Sequence, residues 1–242
     1  MVIGHYALGF ALKRIEPRLS LGALFLGANL VDILIGLSLL TGIEHARYVP
    51  GSTFVYPVDF YDYPYTHSLA GSLLWSLTGV CAYLLWSSKN GELGKRCAVL
   101  FGISIFSHYL LDLLTHTSMP LLGNDSLKIG MGLYENFFLY ITVEAIMFGA
   151  AVAVYRSTMD SRNASGDRGL ISLVVIMLSL WSWSLFDLRW EHLIPGLPDL
   201  FGMSVLLSAG NLLGVALGYR VDRMHIIRIE KDAGPALQIE QG

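Results

Sequence analysis

Charge is what this sequence has least of. Asp, Glu, Lys and Arg make up 14% of its 242 residues, where a soluble domain carries about 25%. A water-facing surface can hardly be assembled from so few charged groups, which disfavours an ordinary cytosolic enzyme. Cysteine is nearly absent as well. Cys81 and Cys97 are the only two, each in or beside an apolar stretch, and that excludes a disulfide-stapled secreted scaffold. A basic surplus is also missing: 16 Lys and Arg face 19 Asp and Glu. With an isoelectric point near 6.1, no nucleic-acid partner is expected. What is abundant is apolar. Hydrophobic residues make up 54% of the chain and the mean hydropathy is +0.55, which excludes a disordered chain. The length allows one or at most two domains.

A helix that crosses the hydrocarbon core needs ~20 mostly apolar residues. Six segments meet that requirement: Leu19–Thr41, Ser68–Ser87, Cys97–Thr115, Asn136–Tyr155, Gly169–Asp187 and Asp199–Tyr219. The expected fold is all-α, a polytopic membrane helix bundle. A shorter apolar stretch, Val2–Leu12, precedes them and ends at Lys13 and Arg14. A cleavable signal peptide carries its basic residues first, so this stretch is expected to be retained as a short re-entrant or amphipathic helix. Residues 1–219 read as one integral membrane domain and 220–242 as a polar tail.

The basic residues are sorted by compartment. Lys13, Arg14 and Arg18 precede the first segment, and Lys89, Lys95 and Arg96 lie in the second loop. Arg156, Arg162 and Arg168 lie in the fourth loop, and Arg220, Arg223, Arg228 and Lys231 in the tail. The first, third and fifth loops hold only Arg47, Lys128 and Arg189. Loops this short obey the positive-inside rule, so both termini are expected on the cytoplasmic side. The lipid bilayer is the expected partner.

Some clusters have plain structural readings. Tyr48, Phe54, Tyr56, Phe60, Tyr61, Tyr63 and Tyr65 crowd the first outer loop and suit an interfacial aromatic belt. Gly210, Gly214 and Gly218 form a small-residue stripe for close helix packing. The Asn163-Ala164-Ser165 sequon falls on the cytoplasmic side and is not expected to be glycosylated. Asp187, Glu191 and His192 around Trp190 read as cap and interface groups, as does His45 beside Glu44. His225 reads as a solvated residue of the tail.

A charge at the bilayer centre costs ~2.5–3.5 kcal/mol on insertion scales. The second, fifth and sixth segments avoid that cost inside their apolar stretch, and the others do not. Asp32 lies in the middle of the first, His108 and Asp112 in the third, and Glu144 in the fourth. His67 precedes Ser68 at the opening of the second, and His5 sits in the short N-terminal stretch. Side chains four apart share a helix face, so His108, Asp112 and, if the helix persists, His116 form one stripe. Glu144 lies ~12 Å below Asn136, and His5 reaches ~12 Å from Lys13, at 1.5 Å per residue. Histidines and carboxylates converging in a water-poor place suit Zn²⁺ or a similar divalent ion. Packing roles stay open: a hydrogen-bonded His5, a helix-surface His108–Asp112 pair, or an Asp32 that lines an ion path.

Two stretches carry a family resemblance. Phe54–Leu69 (FVYPVDFYDYPYTHSL) and Ser107–Leu122 (SHYLLDLLTHTSMPLL) resemble the YdjM family of bacterial inner-membrane proteins, described as membrane-bound metal-dependent hydrolases. That family shows an N-terminal His, an Asp in the first hydrophobic segment, a THS element, and an SHxxLD helix before a loop ending in Pro-Leu. Here these are His5, Asp32, Thr66-His67-Ser68 and Ser107-His108 with Asp112. Lys128–Tyr155, with GMGLYEN and the later Glu144, is similar to a subset of the family. The resemblance covers about residues 1–155. The family shares its order of His, Asp, His and HxxxD with the zinc-dependent phospholipase C and P1 nuclease group, whose additional His and Trp ligands have no counterpart placed in this sequence.

The resemblance implies a metal-dependent hydrolase acting through a metal-activated water, on a phosphate-ester or lipid-linked substrate. His5, Asp32, His67, His108 and Asp112 are then the ligand set for a divalent metal, zinc by preference. Glu144 or His116 would move the proton. Five ligands exceed a four-position site, so either two metals bind or one carboxylate has another role. The alternatives are a membrane ion or proton carrier built on the same groups and a structural protein whose polar cluster ties helices together. The last ranks lowest, because interhelical hydrogen bonds in membranes average only ~0.6 kcal/mol.

Overall fold

The computed structural model describes residues 1–49, 58–87, 91–123, 127–185 and 199–228. Among them, six helices are long and apolar enough to cross a bilayer, and the fold is an all-α bundle. The first elements are α1 (Ile3–Leu12), α2 (Leu21–Thr41), a β1–β2 hairpin (His45–Tyr48 with Val58–Asp62) and the short α3 (Pro64–His67). Next come α4 (Leu69–Trp86) and α5 (Gly91–Thr115), then β3 (Met119–Pro120) paired with β4 (Lys128–Ile129). A 3₁₀ turn at Leu133–Glu135 leads into α6 (Phe137–Thr158). β5 (Met159–Ser161), α7 (Ala164–Ser184), α8 (Asp199–Val205), a π-helical turn (Leu206–Gly210), α9 (Asn211–Arg223) and β6 (His225–Ile227) complete the order. β5 pairs with β6 at the end of the bundle opposite the β1–β2 hairpin.

Polar caps mark where several spans begin. Ser20, Ser68, Asn136 and Asn163 each accept a backbone N–H from the first turn of α2, α4, α6 and α7. Asn163, the sequon residue, is therefore a helix cap. α2 stops at Gly42, whose φ of 71° continues the chain in the left-handed region. α5 begins at Gly91, six residues before the apolar segment, because Glu92, Lys95 and Arg96 form polar helical turns outside the apolar stretch. The lateral faces are apolar and uncovered: Leu74, Leu77, Leu85, Phe138 and Ile146 are each more than 60% exposed. In water such a surface would drive association; against lipid tails it needs no cover.

α1 is neither a surface helix nor a span. It is buried among α2, α5, α6 and α7, with Phe10 at its centre. The Phe10 ring meets Phe25, Tyr155 and Phe148 edge-on at centroid distances of 5.0, 5.4 and 6.0 Å. Of the glycine stripe, Gly218 lies against Phe25 and Gly214 against Tyr6, so the last helix closes on α2 and α1.

A buried ionic knot holds the end of the bundle where α1 turns into α2. The Lys13 ammonium donates to the carbonyls of Pro17 (2.6 Å) and Leu19 (3.0 Å) and pairs with Asp222 of α9 (2.8 Å). Asp222 also accepts the Leu21 backbone N–H at 3.1 Å. Burial pulls the Lys13 ammonium below its usual pKa, and the Asp222 carboxylate opposes that shift. Nearby, His225 is buried, its Nδ1 donating to the Val221 carbonyl at 2.8 Å and its ring against Tyr155. The solvated role expected for His225 is thus corrected: pairing of β6 with β5 folds this part of the tail back onto the bundle. Residues 229–242 of the tail, and Asp187, Trp190, Glu191 and His192, lie outside the described residues.

Removing one partner of a buried pair leaves the other charge uncompensated and typically costs ~3–5 kcal/mol. Asp222→Ala is expected to lower unfolding stability by about that amount. The apolar pair Lys13→Met with Asp222→Leu should recover most of the loss. Reversible denaturant unfolding in detergent measures both; a double variant no more stable than the single one would contradict this role.

Candidate metal centre

Four helices and the residue after α5 bring six of the seven candidate residues to one place. His5 comes from α1, Asp32 from α2, His67 from the end of α3, and His108 and Asp112 from successive turns of α5. His116 follows just beyond α5. Close approach of α2 and α5 makes this convergence feasible. At Gly27 a Cβ atom would lie 1.9 Å from Ser104 Oγ, so any larger residue would force the two helices apart.

The protonation pattern of the two central histidines follows from their outer contacts. His108 Nδ1 lies 2.7 Å from the Ala28 carbonyl oxygen. A carbonyl only accepts, so Nδ1 carries the proton, and in the neutral ring Nε2 presents a lone pair. His67 Nδ1 lies 2.8 Å from Thr66 Oγ1, and that hydroxyl donates to Glu44 Oε2 at 2.8 Å. The hydroxyl proton being committed, His67 Nδ1 must donate, and in the neutral ring its Nε2 lone pair also points inward.

Those two lone pairs face two carboxylates. His108 Nε2 lies 3.2 Å from Asp112 Oδ2 and 3.5 Å from Asp32 Oδ1. His67 Nε2 lies 3.6 Å from each of Asp112 Oδ2 and Asp32 Oδ1. Four acceptors confront one another, and no proton stands between them in these tautomers. Ligand atoms ~2.0–2.1 Å from a tetrahedral zinc ion lie roughly 3.3–3.4 Å apart, and the four separations bracket that value. The donor set fits a divalent ion. Two three-residue groups could hold one, His67–His108–Asp112 and His5–Asp32–His108, with the ligand atoms of each within 4.8 Å.

The remaining candidates differ in their engagement. His5 stacks on His108, with ring centroids 3.7 Å apart and planes at 5°. Its Nε2 is 3.1 Å from Asp112 Oδ1, the oxygen that also receives the Met1 amino group at 2.5 Å. His116 stands further off, with Nε2 3.9 Å from Asp112 Oδ2 and its ring edge-on to Tyr134. Glu144 is not among the grouped ligands. Its Oε1 accepts the backbone N–H groups of Val2 (2.6 Å) and Gly4 (3.2 Å), capping α1 from α6 and fixing where His5 stands.

Two contributors were not legible as such. Glu44, fully buried, accepts the Tyr65 and Thr66 backbone N–H groups at 2.8 and 2.9 Å as well as the Thr66 hydroxyl. It caps α3 and orients His67 through Thr66. Tyr63, expected in the aromatic belt, is instead buried beside His67, its hydroxyl donating to the Ser118 carbonyl at 2.8 Å. Tyr61 and Tyr65 are exposed, while Phe54 and Tyr56 lie outside the described residues. A carboxylate one turn beyond a span, and a hydroxyl beside a candidate His, were the available signals.

Asp32, His67, Asp112 and His116 line one part of a cavity that continues between helices. No family model matches this chain, and neither a curated protein nor a solved structure matches it.

Partners that orient a ligating histidine typically change metal affinity 10–100-fold, on the order of one to two decades, when removed. Thr66→Val and Glu44→Gln are each expected to weaken metal binding by about that factor, and His108→Ala and Asp112→Ala to abolish it. Competition against a zinc chelator measures the affinities. Unchanged affinity in Thr66→Val would remove His67 from the ligand set.

Proposed function

We propose that this protein is a metal-dependent hydrolase of the bacterial inner membrane, with both termini cytoplasmic. The observation that carries the reading is the confrontation of two imidazole nitrogens and two carboxylates across 3.2–3.6 Å on the wall of a cavity. Mixed nitrogen and oxygen donors at that spacing favour zinc. The matching order of His5, Asp32, Thr66-His67-Ser68 and Ser107-His108 with Asp112 supports kinship with the YdjM family. The sorting of Lys and Arg between loops supports the orientation.

In this reading His67, His108 and Asp112 hold the ion. When bound, it supplies Lewis acidity and brings the pKa of a water down to ~7. Asp32 has a different task. Its side chain is 18% exposed toward the cavity against 4% for Asp112, so it is placed to take the proton of the attacking water. The water oxygen bonds to the carbonyl carbon or phosphorus of an ester. The bond to the leaving oxygen breaks, and the proton taken by Asp32 passes to that oxygen with His116, on the cavity wall, as the relay. His5 steadies Asp112 through Oδ1, and Glu144 holds α1 in register with the site.

The roles separate experimentally. Asp32→Asn is expected to retain zinc while losing ~10²–10⁴ in turnover, the range for a general base. Asp112→Ala should lose the metal itself. Zinc analysis alongside hydrolysis of p-nitrophenyl esters and bis-p-nitrophenyl phosphate reads both. Metal-loaded protein that turns over none of these or any other ester tested would contradict the hydrolase and favour a carrier.

A further inference from the structure

The cavity does not end at the polar cluster. From Asp32 and Asp112 it passes the first residues of α1 and Tyr6, then opens between α7 and the last helix. The empty space along its lining, open space beyond the rim included, is about 1270 Å³. One wall is Leu173, Ile176, Met177 and Leu180 of α7. The other is Leu206, Leu213 and Leu217, running from the π turn into α9.

Helix geometry explains the opening. At the β5–β6 end the two helices touch, Gly169 lying against Met224 and Val221. Toward the metal-centre end, Gly36 of α2 lets the last helix approach, where a Cβ would meet Ser208 Oγ at 2.3 Å and the Ser204 carbonyl at 2.6 Å. Ser208 donates to the Ile33 carbonyl at 3.0 Å. The last helix is thereby drawn onto α2 and away from α7, through a π turn of a kind found often at functional sites.

We infer that this cleft receives the apolar chain of a membrane amphiphile whose compact, oxygen-rich head group sits at the metal centre. The inference rests on the reading of the polar cluster as a metal site and extends it to a class of ligand. Three observations select a lipid chain over other occupants. The cleft is continuous with the polar cluster, and no Lys or Arg among the described residues lines it. Its rim residues Ile176, Leu180, Leu206 and Leu213 are 39–55% exposed, so it opens sideways where a bilayer would lie. From Leu206 to Leu217 the wall is ~16 Å long, roughly half the ~30 Å hydrocarbon core and thus the length of one chain in one leaflet.

The test uses a hexadecyl phosphate carrying a diazirine near its chain terminus, at low mole fraction in phosphatidylcholine vesicles holding the full-length, zinc-loaded protein. Leu173 and Met177 line the cleft yet are only 2% and 4% exposed, so a chain can label them only from inside it. Leu74, 63% exposed on α4, reports ordinary contact with surrounding lipid. Labelling of Leu173 and Met177 is expected in the wild type. It should fall about tenfold in Leu213→Trp and in Ile176→Trp, which overfill the cleft from its two walls, with zinc content and Leu74 labelling unchanged. Absence of label at Leu173 and Met177, or label that neither tryptophan reduces, would overturn the inference. Cleft labelling without hydrolysis of any ester keeps the lipid site and removes the hydrolase. Turnover of short soluble esters without cleft labelling does the reverse.

Discussion

Two carboxylates and two imidazole lone pairs aimed at one another in a low-dielectric interior repel unless a cation lies among them. The rest of the structure depends on this constraint. A carboxylate buried without compensation is costly enough that it normally pairs, protonates or binds a metal. Here Asp112 pairs through one oxygen with the Met1 amino group, while its other oxygen and Asp32 face the two histidines. His108 and His67 have already given their ring protons to the Ala28 carbonyl and to Thr66, and the described basic side chains are engaged elsewhere or lie at the helix ends. The Met1 amino group reaches only the outer oxygen of Asp112. The arrangement could hold a divalent ion, and its outer contacts determine which nitrogen each neutral ring presents.

Holding that arrangement takes most of the bundle. α1 supplies His5 from the interior, and it stays there because its aromatic flank packs on α2 and α6 while Glu144 caps its first turn. Lys13 and Asp222 fix its other end. α2 and α5 approach closely enough at Gly27 for His108 to reach across to Ala28. The hairpin side contributes Glu44, which caps α3 and orients His67 through one hydroxyl. The last two spans contribute no candidate ligand; they form the apolar walls through which the site communicates with the bilayer.

Much of this was legible in the sequence, for physical reasons. Span length and composition are set by bilayer thickness, so the six helices follow from hydropathy, with ends that move only where polar turns extend a helix, as at Gly91. Intramembrane charge is costly, so Asp32, His108, Asp112 and Glu144 stood out in a charge-poor chain, and the structure brings the first three together with His5, His67 and His116. What was not legible depends on tertiary contacts. Glu44 looked like a span-end cap, and nothing local shows that its second oxygen orients a histidine through Thr66. Tyr63 looked like a belt residue until packing buried it. His225 looked solvated because strand pairing between distant segments has no signature over three residues. The π turn and the cleft beside it arise from how two helices splay, which composition does not encode.

In the proposed function a divalent ion stands between His67, His108 and Asp112. Anomalous diffraction at the zinc edge, on crystals of the full-length protein purified without chelator, tests it most directly. A peak is expected ~2.0–2.1 Å from the Nε2 atoms of His67 and His108, with Asp112 bound on its Oδ2 side. A fully ordered site with no anomalous signal after zinc soaking, and a shared proton or water joining the carboxylates to the imidazoles, would contradict it.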